Sequence, residues 1–179
     1  MRGFTLIELV VVFSIIAIIS TIGIISFSNY NKIQQLNQAV SDTVNLLNSA
    51  KSNSLSQIKP EACDPTYELY GYRITAFPRP SGEQSTVKLE TICRDPNNII
   101  VECATPACKN PKTLTFLKNI KITNSTDEIF FYPLSLFEDE SVDGGSICVE
   151  GWGIKKEISV SNLGIVTILN PEDSGYSCP

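Results

Sequence analysis

LVVVFSIIAIISTIGIISFSNYN, residues 9–31, is a run of 23 residues without a charge, and 14 of the 19 from Leu9 to Phe27 are apolar. At about 1.5 Å of rise per residue, a helix of that length spans roughly 35 Å, enough to cross a hydrocarbon core of about 30 Å. The run therefore reads as a transmembrane segment over about residues 9–31. The only charges before it are Arg2 and Glu8. A removable secretory signal peptide would also be N-terminal and apolar. Against that reading, the n-region is only Met1-Arg2-Gly3, Glu8 puts a carboxylate in the apolar segment, and no Ala-x-Ala-like pattern follows Phe27. Arg2 and the amino terminus precede the span, which favours a cytoplasmic N-terminus and an extracytoplasmic remainder. Lys32, just past the span, makes that charge bias slight.

Beyond the span, apolar residues recur at Ile33, Leu36, Val40, Val44 and Leu47, three or four positions apart, with Gln34, Gln35, Asn37, Asp42 and Asn45 between them. This is the period of an amphipathic helix. From Phe4 to Lys59 there is no proline, Gly23 is the only glycine, and Pro60 supplies a stop. One continuous helix over 4–58 is expected, a rod on the order of 80 Å, apolar all round in its first half and along one stripe in its second. Gly23 either softens it, at a cost of about 1 kcal/mol relative to Ala, or admits a closely packed neighbour.

The remaining residues, 61–179, are the natural cover for that second stripe. Their pattern shifts to short runs rich in β-branched and aromatic residues between turn formers. Strands are expected at Tyr67–Phe77, Thr86–Cys93, Ile99–Cys103, Thr113–Thr123, Glu128–Tyr132, Ser146–Glu150, Lys155–Ser161 and Ile165–Leu169, the last two as a hairpin through Asn162-Leu163-Gly164. The fold class is α+β: a long N-terminal helix packed against an antiparallel β-sheet head. The head carries 10 Lys plus Arg against 17 Asp plus Glu, a net charge of −7. Such a surface does not attract nucleic acid by charge.

Six cysteines, Cys63, Cys93, Cys103, Cys108, Cys148 and Cys178, all follow the span. An even number on that side points to disulfides in an oxidising compartment. A zinc site is the weaker reading, because the chain has no histidine and no C-x-x-C pair. Sequence alone does not choose among the pairings. Cys103 with Cys108 around Pro106, and Cys148 with Cys178 at the tail, are two candidates.

Ahead of the span stands Gly3-Phe4-Thr5-Leu6-Ile7-Glu8-Leu9-Val10-Val11-Val12. This stretch resembles the class III signal of prepilins, the precursors of the type IV pilus and type II secretion superfamily. The resemblance covers about the first 30 residues closely. In that family a membrane-embedded aspartyl protease, the prepilin peptidase, cuts after the glycine and methylates the new amino-terminal phenylalanine. By resemblance, residues 1–3 are the leader, Gly3 precedes the cut, Phe4 is the new N-terminus and the methylation site, and Glu8 is the fifth mature residue. The three-residue leader is shorter and less basic than many.

The resemblance also implies partners: other pilin or pseudopilin subunits in a helical filament, an assembly ATPase and a platform membrane protein. The product would be a cell-surface or periplasmic filament. Independently of the family, an ionised carboxylate in an apolar segment is costly unless paired. Glu8 is four residues from Phe4, so it either caps amides of its own first turn or meets the freed amine of a neighbouring subunit and sets register.

The head resembles, more loosely, the H-type minor pseudopilins and related minor pilins, through Ile129-Phe130-Phe131-Tyr132-Pro133, Asp143-Gly144-Gly145-Ser146-Ile147-Cys148 and Lys156–Val166. That implies a minor subunit near the filament tip with two sheets against the helix. The extra cysteines depart from that pattern.

No catalytic constellation appears: without histidine there is no Ser-His-Asp or Cys-His arrangement, and no phosphate-binding glycine loop is present. No enzyme activity, cofactor or metal is expected. The acidic turn Glu138-Asp139-Glu140 with Asp143 lacks EF-hand spacing and reads as a solvated loop rather than a calcium site. Trp152, between two glycines, reads as a loop or core aromatic. The alternative to a filament subunit is a single-pass anchored ectodomain that binds a ligand and never polymerises; such a protein needs neither the Gly3-Phe4 junction nor Glu8.

Overall fold

The computed structural model describes residues 5–58, 63, 66–78, 83–97, 99–102, 112–125, 128–133 and 142–179, and only the backbone of residues 21–26, 101 and 102. Helix α1 runs unbroken from Leu6 to Leu55. Thr5 caps its start, and its end is a hydrogen-bonded reversal. Ile58 N–H bonds Asn53 O at 3.0 Å and Gln57 N–H bonds Ser54 O at 3.1 Å, with Gln57 at φ 50 in the left-handed region. This is the arrangement that usually places glycine at the reversing residue. The helix thus stops three residues before the expected end at 58, ended by its own carbonyl caps, while Pro60 lies outside the described residues.

Among the described residues ten strands follow: β1 (Glu68–Phe77), β2 (Thr86–Arg94), β3 (Ile100–Glu102), β4 (Lys112–Thr115), β5 (Ile120–Ser125), β6 (Ile129–Phe131), β7 (Val142–Asp143), β8 (Gly145–Gly151), β9 (Ile154–Val160) and β10 (Val166–Leu169). They form two antiparallel sheets. The first has the order β3-β2-β1-β6-β7, with β4 also paired to β2; the second has the order β10-β9-β8-β5. The class is α+β, and the expected hairpin is present, with Val160 opposite Val166.

One expected strand is two. The run Thr113–Thr123 breaks at Phe116–Asn119, sending β4 to the first sheet and β5 to the second. Buried Phe116 is the pivot. Its N–H bonds Ser85 O at 3.0 Å, and buried Ser85 Oγ accepts from Ile122 N–H at 3.1 Å. One serine therefore satisfies the backbone on both sides of the crossing. β7 falls between the expected strands Glu128–Tyr132 and Ser146–Glu150, where none was expected; its two residues pair with Phe130 and Phe131.

The core lies between α1 and the inner faces of both sheets. Leu36, Ala39, Val40, Thr43, Leu46, Leu47, Ala50 and Ser54 form the buried stripe of the helix. Tyr72 and Ile74 of β1, Phe131 of β6, Val149 of β8 and Ile158 of β9 meet it. Burying each large side chain of this set contributes about 1.5–3 kcal/mol. Two polar residues sit in the stripe because their hydroxyls are satisfied: Thr43 Oγ1 donates to Ala39 O at 2.8 Å and Ser54 Oγ to Phe131 O at 3.1 Å. Gly71 of β1 is required by close approach. A Cβ there would stand 2.2 Å from Phe130 Cε1 and 2.6 Å from Phe131 O.

Among the described residues two disulfides tie the head together. Cys63 joins Cys93 on β2 with Cα atoms 6.2 Å apart, and Cys148 on β8 joins Cys178 in the tail at 5.7 Å. Cys103 and Cys108 lie outside the described residues. Lys51 Nζ donates to Gly164 O at 2.8 Å, pinning the β9–β10 hairpin to α1.

Candidate functional site

The first turn of α1 carries a capping box. Thr5 Oγ1 accepts from Glu8 N–H at 3.4 Å. In return, Glu8 Oε2 accepts from Thr5 N–H at 2.9 Å and from Thr5 Oγ1 at 2.6 Å. The cause is local: a helix start leaves backbone N–H groups without partners, and Thr-x-x-Glu supplies both acceptors from side chains. The carboxylate is also near the positive end of the helix dipole. Gly3 and Phe4 lie outside the described residues, so the structure places only Glu8 of the three. Thr5 is the residue that sequence reasoning passed over, although its three-residue spacing from Glu8 is the signature of such a box.

Around this polar point the surface is apolar. Leu6, Ile7, Leu9, Val10 and every large apolar residue on to Ile19 are exposed on the single chain. An apolar face of this extent requires cover from lipid or from other chains. The one hydroxyl between Leu6 and Ile19, Ser14 Oγ, donates to Val10 O at 2.8 Å, so it adds no unsatisfied donor. Among the described residues no helix is long and apolar enough to cross a membrane. The described side chains break off at Ser20 and resume at Phe27.

The outer face of the first sheet is polar and paired. Arg73 meets Glu90 at 3.1 Å and Glu128 at 3.4 Å, and Lys88 meets Glu90 at 2.5 Å. Partial burial pushes the Glu90 carboxyl up, but hydrogen bonds and charge from Lys88 and Arg73 outweigh it and hold the group below its ordinary value. Beside this network Tyr70, Phe130 and Tyr132 pack edge to face and tilted, with centroids 4.4 to 5.8 Å apart. Asp143 accepts from Tyr132 Oη at 2.7 Å, while Glu138-Asp139-Glu140 lie outside the described residues. No three His, Cys, Asp or Glu among the described residues converge as a metal site.

Under the second sheet's tail, buried Glu157 accepts from Ser177 N–H at 2.5 Å and from Ser177 Oγ at 2.8 Å. These bonds lie beside the Cys148–Cys178 link and serve to hold the tail.

The profile of the prokaryotic N-terminal methylation motif matches residues 1–24. No curated protein and no solved structure matches the chain. That motif, at the start of a long helix that carries a two-sheet head, supports the resemblance to the type IV pilin and pseudopilin superfamily.

Proposed function

We propose that the chain is a minor subunit of a type IV pilus or type II secretion pseudopilus. In this reading residues 1–3 are a leader cut between Gly3 and Phe4 by a prepilin peptidase, and Phe4 is then N-methylated. Helix α1, Leu6–Leu55, is the assembly helix, with about residues 9–31 in the inner membrane, and residues 61–179 form an extracytoplasmic head. The observation that carries the proposal is the start of α1: from Leu6 to Ile19 its large apolar side chains are exposed, with one hydrogen-bonded carboxylate among them. Lipid covers such a helix before assembly, and neighbouring helices cover it afterwards. The exchange is between two apolar surroundings, so extraction from the bilayer does not expose the helix to water.

Glu8 supplies register. Its Oε2 is engaged by Thr5, and the charge it retains attracts the methylated amine of the next Phe4, because an unpaired charge in an apolar medium costs several kcal/mol. Subunits align where the two meet. An assembly ATPase and a platform membrane protein drive the insertion. The two sheets stacked on the helix support the minor-subunit reading, which the head's resemblance to H-type pseudopilins suggests.

The test is intact mass with N-terminal sequencing of membrane-extracted chain, with and without its prepilin peptidase. The proposal expects a product beginning at N-methylated Phe4 only when the peptidase is present. A chain that keeps Met1 in both, or is cut beyond Phe27, ends it and leaves an anchored or secreted ectodomain.

A further inference from the structure

The head presents two tight connections at the end where α1 leaves it. The β8–β9 hairpin turns through Trp152-Gly153, closed by the Gly151–Ile154 pair. The β4–β5 crossing turns through Leu117-Lys118-Asn119, closed by Ile120 N–H on Leu117 O at 2.9 Å. The two are neighbours: a Cβ on Gly151 would lie 3.4 Å from Leu36 Cδ1, 3.4 Å from Ile120 Cγ1 and 3.6 Å from Asn119 O. Leu36 stands only five residues beyond Asn31, the last of the uncharged run. Five helical residues rise roughly 7.5 Å, and the headgroup zone is about 5–8 Å deep on each side of a hydrocarbon core. Both turns therefore come level with lipid headgroups when α1 is seated in a bilayer.

Their chemistry matches that level. Leu117 is 52% exposed and Ile154 is 38% exposed, and Phe77 at the same end of β1 is 40% exposed. Trp152 is half-buried against the core and held at φ 52, a left-handed conformation that bulky side chains adopt only at a cost and that hairpin turns ordinarily give to Asn, Asp or Gly. An indole with an apolar body and a polar edge is the preferred side chain of membrane interfaces. Although the head is acidic as a whole, Lys118 stands in the β4–β5 turn itself and Lys32 lies one helical turn before Leu36, while Lys121 pairs with Glu150 at 3.6 Å and Lys155 Nζ donates to Pro179 O.

We propose that this end of the head is a lipid-docking surface. Trp152, Leu117 and Ile154 settle into the headgroup layer of the bilayer that holds α1, and Lys118 and Lys32 face its anionic phospholipids. Docking fixes the orientation of the head before assembly and is given up when the subunit leaves the membrane. The inference rests on the anchored reading above, and one experiment separates the two.

Trp152 is the only tryptophan of the chain, so its emission reports this corner alone. Full-length chain is reconstituted at high lipid excess into vesicles of zwitterionic plus anionic phospholipid and washed with alkaline carbonate. It is then quenched either by a headgroup nitroxide lipid or by aqueous iodide. Docking predicts strong nitroxide quenching and protection from iodide, with the protection lost in a Leu117→Asp/Lys118→Glu chain. One lysine at an anionic surface changes the docked-to-free ratio about fivefold, so Lys118→Glu alone raises iodide access in anionic vesicles and leaves purely zwitterionic ones unchanged. Chain washed off by carbonate overturns the anchored reading and the docking with it. Retained chain with Trp152 open to iodide overturns the docking and leaves the anchor standing. Protection that follows protein density rather than lipid charge also overturns it, and assigns the corner to a second copy of the chain.

Discussion

The two halves of α1 share one backbone ladder and differ in almost everything else. From Leu6 to Ile19 the large apolar side chains all face outward, whereas Leu36, Leu47 and Ala50 are wholly buried. The first half is richer in apolar residues, and yet its described large apolar side chains are left uncovered by the head. The second alternates polar and apolar residues and anchors both sheets. Hydrophobicity alone does not decide core membership. A helix face is buried by its own chain only where it is narrow enough for one head to cover, and a helix that is apolar all round needs lipid or other helices.

This division predicts that damage stays on its own side. Replacing Glu8 with Gln keeps the side-chain volume and removes the charge. Filament recovery from cells should then be lost, while membrane retention and the unfolding midpoint of the head stay as in the parent chain. Filaments at parental yield would show that register does not depend on this carboxylate. The reciprocal change is Leu47→Ala, which leaves a cavity between α1 and both sheets and should destabilise the head by about 2–5 kcal/mol. Urea unfolding of detergent-solubilised chain, followed by Trp152 emission, measures it, and carbonate-resistant membrane retention should not change.

A smaller and opposite effect belongs to the junction. Gln57 holds a left-handed conformation at the end of α1, and Gln57→Gly should raise stability by about 0.5–1 kcal/mol, because glycine lacks the Cβ clash there. An unchanged midpoint would mean that the reversal is already relaxed.

The smallest effect concerns pH. The Glu90 carboxyl is held below its ordinary value, so the native head binds fewer protons than the unfolded chain across that range. Its contribution to stability is present above the ordinary carboxylate range and is lost as pH falls through the lowered folded value. A Glu90→Gln head should be slightly less stable near neutrality and show a flatter decline on acidification in thermal melts. A parallel decline would remove Glu90 from the acid response.

The sequence disclosed the elements whose signals are long. The uncharged run, the stripe through Leu36, Val40 and Leu47, and the β9–β10 hairpin were all legible, because each signal extends over many residues. Small and hydroxyl residues were not. Ala39, Thr43, Ala50 and Ser54 complete the buried face, and only the bonds of Thr43 and Ser54 to backbone oxygens make them fit for it. The split of Thr113–Thr123 was hidden as well. Both halves are β-forming, and the break depends on Ser85, which is distant in sequence. The candidate site was legible at Glu8, while Thr5 needed the helix start to be seen as a cap.

One consequence concerns force. The stripe from Leu36 to Ser54 runs along both sheets for roughly 27 Å, so a pull on the N-terminal end of α1 acts parallel to the interface. Its side chains then resist together, in shear, instead of one after another as in peeling. Lys51 on Gly164 and Ser54 on Phe131 sit at the far end of that overlap. A subunit hauled out of a bilayer by its helix should bring its head along folded, and single-molecule pulling between residue 5 and Lys155 should show one high rupture event rather than a staircase of low ones.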